Sequence, residues 1–127
     1  MDNRLYLTVA AIVAIIYGLG FVFIPGHLVA FYGMTPEPHL VLNIRFFGTT
    51  LIALGVIFWF ARDVREWAAV RGVLIGAIVG DTLGVLVNLW GTMKGLLNGL
   101  AWSSTVVYIA LLVGAIYCLS MGARKTA

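Results

Sequence analysis

Charge is scarce in this chain. Only 10% of its 127 residues are charged, against about 25% in soluble domains. There is a single cysteine, Cys118, and there are three prolines. A lone cysteine excludes an internal disulfide, and no CxxC pair or metal-type cluster accompanies it. Its apolar setting reads as a small packed residue. Catalytic vocabulary is missing as well. No Ser-His-Asp arrangement, phosphate-binding loop or paired-carboxylate motif is found, so no catalytic residue is assigned. The net charge of +3 is carried by residues scattered at the ends of apolar runs, without a basic stripe. Nucleic acid is therefore not an expected partner.

What the chain does contain is apolar surface. Hydrophobic residues make up 62% of it, and its mean hydropathy is +1.06. A soluble core of this size cannot hide that much apolar area, so the lipid bilayer is the expected solvent. A membrane-crossing helix takes about 20 apolar residues. Four such runs are present, at residues 5–24, 40–60, 67–90 and 101–121. The expected fold is an all-α integral membrane protein, one domain over residues 1–127, built as a four-transmembrane-helix bundle. The first run is longer than the 7–15 residue apolar region of a signal peptide. Ile24-Pro25-Gly26-His27 follows it in place of a small-residue cleavage site, so it reads as a retained helix.

The connections carry the orientation signal. Four crossings put the N-terminus, the second connection and the C-terminus on one side, with Arg4, Arg62, Arg65, Arg71, Arg124 and Lys125. The other side has Lys94, with Arg45 just inside the second span. Positive residues favour the cytoplasm, so both termini are expected there, with the chain integral to the cytoplasmic (inner) membrane. Trp59, Trp67, Trp90 and Trp102 fall at span ends, where an aromatic belt anchors helices at the interface. The short second connection, residues 61–66, makes the second and third spans antiparallel neighbours. The longer first connection has an apolar middle at residues 28–34 between proline-bearing ends. It reads as a short interfacial helix after the first span.

Two features stand out inside the spans. Gly72, Gly76, Gly80 and Gly84 recur every fourth residue, and Asn88 takes the next step. Such a smooth strip lets another helix approach closely in lipid, within the chain or from another subunit. It also offers a flat wall to a planar ligand. The second feature is charge at depth. Arg45 and Asp81 each lie 18 residues from Asp63 in the second connection. In an antiparallel hairpin that is equal depth, at ~1.5 Å per residue. An intramembrane ion pair between them is expected, since each alone would be costly in hydrocarbon. Gly48 and Gly55 share the Arg45 side of the second span and are expected to meet the third. Asn43, Asn88 and Tyr17 complete the expected polar core. The pair reads as a structural clamp, as a proton- or ion-responsive site, or as a contact for an anion or a quinone head group. His27, His39 and Glu37 lie in the first connection and read as surface residues, with no geometry for a metal.

An early helix ending at Ile24-Pro25, the stretch Phe31-Tyr32-Gly33 and the opening Arg45-Phe46-Phe47-Gly48 form a recognisable series. The exit Phe58-Trp59-Phe60-Ala61-Arg62 and Trp102 at the start of the last span extend it. In these features, across most of its length, the chain resembles the DoxX-like small four-helix bacterial membrane proteins. That resemblance implies a four-helix bundle accessory to membrane oxidoreductases or quinone-linked complexes, and it brings no catalytic residues with it. The functional expectation is a non-enzymatic accessory or assembly subunit that binds a protein partner or a second copy in the membrane. The alternatives are a homo-oligomeric carrier or ion/proton conductor using Arg45 and Asp81, and a subunit binding a quinone, lipid or pigment between helices. No cofactor is assigned from the residues themselves.

Overall fold

The computed structural model describes residues 2–126. Its elements are five helices: α1 (Asn3–Phe23), α2 (Pro25–Phe31), α3 (Pro38–Ala61), α4 (Trp67–Met93) and α5 (Ala101–Thr126). No strand occurs among the described residues. Helices α1, α3, α4 and α5 are each long and apolar enough to cross a membrane. Most of that apolar surface faces outward. Only 11% of the most apolar stretch of α3, and 11% of that of α4, is buried inside the molecule. Side chains as large as Phe60 and Phe23 are 72% exposed. An outer surface of this kind suits lipid, not water.

Local chemistry sets the helix ends. Asp2 caps α1, its carboxylate accepting from the Leu5 amide at 2.7 Å, which satisfies one of the free amides of the first turn. Proline opens both α2 and α3, where its missing N–H costs nothing. The short helix after the first span therefore starts at Pro25, three residues earlier than its apolar stretch suggests. It ends at Phe31, two residues before Gly33, whose φ of +83° suits glycine. Hydroxyls within the long helices bond back to their own backbone, as Thr50 does to Phe46 and Thr92 to Asn88. An apolar helix thereby satisfies its polar side chains without a partner.

The four long helices associate as two pairs, α1 with α3 and α4 with α5. In the first pair the backbones nearly touch. A Cβ placed on Gly48 would lie 2.8 Å from the Gly18 carbonyl oxygen, and one on Gly55 would lie 3.0 Å from the Ala11 carbonyl oxygen. In the second pair aromatic rings lie on glycine. The Tyr108 ring covers Gly84, and the Trp67 ring covers Gly122. Trp67 is thus a packing residue as well as a helix-end tryptophan, while Trp59, Trp90 and Trp102 are 38%, 58% and 48% exposed.

This pairing corrects the expected neighbourhood. The short α3–α4 turn makes those helices antiparallel, yet they meet only sparsely. The Gly48–Gly55 face belongs to α1, because that is where a matching row of small residues, Ala11 and Gly18, lets the backbones close. The pairs are joined by one core at the end that holds the chain termini. Tyr6, Leu7 and Ala10 of α1 and Phe58 of α3 pack there with Leu74 and Ala77 of α4 and Ala115 and Cys118 of α5. Cys118 is 1% exposed, its thiol reaching the Asp2 carbonyl at 3.8 Å. The same end holds the Arg4–Asp63 and Arg62–Asp63 ion pairs at 3.2 and 3.6 Å.

Candidate functional site: a polar seam between the helix pairs

At ~100° per residue, Leu74, Ala77, Asp81 and Asn88 fall along one side of α4. Leu74 and Ala77 are buried in the shared core, so Asp81 continues that inward face toward the middle of the bundle. Its side chain is half-buried. Two tyrosines flank it: Tyr6 of α1 packs in the same core as Ala77, one turn before Asp81, and the Tyr108 ring of α5 lies over Gly84, about one turn after it. The Tyr32 hydroxyl is hydrogen-bonded to the Ser104 hydroxyl, and Ser104 stands one turn before Tyr108 on α5. A polar seam thus runs between the two helix pairs, from Tyr6 through Asp81 and Tyr108 to Ser104 and Tyr32.

The far end of the seam is closed by backbone bonds. The Asn98 side-chain amide donates to the Phe31 carbonyl at 2.9 Å, and the Asn98 backbone amide donates to the Tyr32 carbonyl at 3.0 Å. Asn98 also accepts from the Leu100 amide at 3.0 Å. The end of α2 is thereby tied to the α4–α5 connection, which locks the two pairs at the end away from the termini.

The expected polar core is divided by this arrangement. Tyr17 and Asn88 lie inward and half-buried, with the Asn88 side-chain amide donating to the Gly84 carbonyl at 3.2 Å. Arg45 and Asn43 are exposed on α3. The Arg45–Asp81 ion pair is not formed; the ion pairs of the described residues are the two made by Asp63. Counting from the turn sets depth along two antiparallel helices but not rotation about their axes. The Gly48 crossing turns that face of α3 toward α1, and Arg45 is left exposed instead of meeting α4.

The glycine ladder is corrected too. A Cβ at Gly72, Gly76 or Gly80 would meet nothing within 4 Å, so those three rungs pack against no helix of this chain. Only Gly84 is covered. His27 and His39 are exposed in the first turns of α2 and α3, and no group of three or more metal-type side chains occurs among the described residues.

Tyr6, Tyr32, Tyr108 and Ser104 are the seam residues that sequence reasoning missed. Their spacing held a usable signal. Tyr6 and Tyr17 are eleven residues apart, about three turns, and Ser104 and Tyr108 are four apart. Each pair therefore shares one helix face, a regularity passed over when polar residues are sought by charge alone.

Comparison with protein-family models, with curated proteins and with solved structures finds no match to this chain.

Proposed function

We propose that this protein is a non-enzymatic subunit of the cytoplasmic membrane that assembles with another membrane polypeptide through the bare face of α4. The observation that carries this reading is the open space over Gly72, Gly76 and Gly80. Glycine is among the poorer helix formers, by about 1 kcal/mol relative to alanine in water. Three of them on one outward strip is an odd choice for a surface meeting only lipid tails. It suits a surface on which another helix lies close, because association in lipid relies on backbone approach and van der Waals contact. The surplus of arginine and lysine near the shared end of the termini supports a cytoplasmic location for that end. The resemblance to DoxX-like proteins supports a redox- or quinone-linked complex as the setting.

Native mass spectrometry of the protein released gently from its own membranes tests this. The wild type is expected in a stoichiometric assembly and Gly76→Leu as a free, folded chain. A monomeric wild type, or an assembly untouched by Gly76→Leu and Gly80→Leu, would overturn the reading.

A further inference from the structure

We propose that the α1–α3 pair carries a site for one anionic phospholipid, with an acyl chain in the groove between the two helices and the phosphate at Arg4 and Arg62. The site lies on the first helix pair and is independent of assembly through α4.

Two recesses on the outer surface adjoin there. The first is an apolar groove of about 330 Å³, lined by Ile12, Ile15 and Ile16 of α1 and by Val56, Trp59 and Phe60 of α3. It opens outward, for Ile16 and Phe60 are 63% and 72% exposed. The second is a polar recess of about 300 Å³, lined by Asp2, Arg4, Leu5, Thr8 and Arg62. Leu5, Thr8, Ile12 and Ile16 follow one another in steps of three and four, so both recesses lie along one face of α1. On the α3 side the link is a direct contact. The guanidinium of Arg62, which lines the recess, lies over the ring of Trp59, which lines the groove, 3.5 Å from its centroid.

The dimensions suit a lipid. From Thr8 to Ile16 the helix advances ~12 Å, most of the ~15 Å of hydrocarbon in one leaflet. The groove therefore begins about one turn inside the arginines and runs toward the middle of the bilayer, the course of an acyl chain whose phosphate stays at the interface.

Charge decides the head group. Arg4 and Arg62 share one carboxylate, Asp63, at 3.2 and 3.6 Å, and the longer of these exceeds a hydrogen bond. Asp2, the other acid of the recess, is engaged as the cap of α1, accepting from the Leu5 amide. The same end of the bundle carries six basic side chains against three acidic ones, Asp2, Asp63 and Glu66. Such a surplus at a membrane surface attracts anionic lipid. Arginine adds a planar fork that matches phosphate oxygens. A free phosphate would leave the apolar groove unused, and a zwitterionic lipid would bring its own cation to a surface already rich in them.

The test uses the full chain in phosphatidylcholine nanodiscs doped with phosphatidylglycerol, read by native mass spectrometry after release. One phosphatidylglycerol per chain should be retained in preference to phosphatidylcholine. Arg4→Gln and Arg62→Gln should each lower that retention about fivefold, the scale of one basic side chain at an anionic surface. Ile16→Trp, which fills the groove from an exposed position, should lower it as well. The unaltered protein gives a second reading that no misfolded variant can confuse. Phosphatidylglycerol with a diazirine on its acyl chain should label residues 12–16 and 56–60 above every other exposed face. The proposal falls if both lipids are retained equally, if the arginine variants keep wild-type retention, or if glycerol phosphate displaces the lipid at equal concentration. It falls equally if the diazirine labels all the long helices alike, or if a second copy of the chain fills the groove, seen as a lipid-free dimer that Ile16→Trp separates.

Discussion

Gly48 and Gly55 of α3 each lie against the backbone of α1, whereas Gly72, Gly76 and Gly80 of α4 face no part of their own chain. The more conspicuous series in the sequence is thus the one the monomer leaves unused. Spacing explains the difference. Seven residues are nearly two turns, so Gly48 and Gly55 stay within ~20° of one another on one face. Ala11 and Gly18, also seven apart, present the matching face on α1. A four-residue repeat drifts ~40° per step. The ladder on α4 therefore winds by ~120° from Gly72 to Gly84, and only its last rung comes under the Tyr108 ring of α5. A regular small-residue series makes one continuous seam only when its period matches the helix.

The comparison is sharpest at Gly48. Gly48→Leu drives a side chain into the Gly18 carbonyl, where backbone and not a flexible tip must yield. A loss of about 3 kcal/mol is expected, the upper part of the overpacking range, measured by denaturant unfolding in mixed micelles. A loss under about 0.5 kcal/mol would mean that the α1–α3 crossing does not define the fold. Gly122→Ala is the intermediate case. Its Cβ would enter the space of the outer edge of the Trp67 ring, a side chain that can swing aside, so about 1 kcal/mol is expected. Repeating the substitution in a Trp67→Leu background should shrink that cost; an unchanged cost would remove the ring from the explanation. Gly76→Leu should leave the stability of the isolated chain within about 0.5 kcal/mol of wild type, as for a surface change. A large loss there would show that the outward face of α4 is packed after all.

The polar residues show a related contrast. Arg45 and Asp81 were expected to meet because each is 18 residues from Asp63. Depth along an apolar helix is legible in this way, since rise per residue is fixed. Rotation about the axis is not, because it follows from which partner fits best. The Gly48–Gly18 contact wins that competition, and Arg45 stays exposed, away from Asp81. The tyrosines of the seam come from α1, from the residue that follows α2 and from α5, and no local pattern says that those elements come together.

Composition and periodicity by themselves determined the helices. Apolar runs of spanning length, bounded by proline, glycine and polar turns, leave the backbone no other way to satisfy its hydrogen bonds in an apolar setting. The observed long helices accordingly lie close to the four runs, with the last extending to Thr126. The pairing of α1 with α3 and α4 with α5, the bare face of α4 and the isolation of Asp81 from Arg45 were decided only in three dimensions. Helices already satisfied along their own axes sort by close contact, and contact depends on the joint shape of two surfaces that lie far apart in the chain.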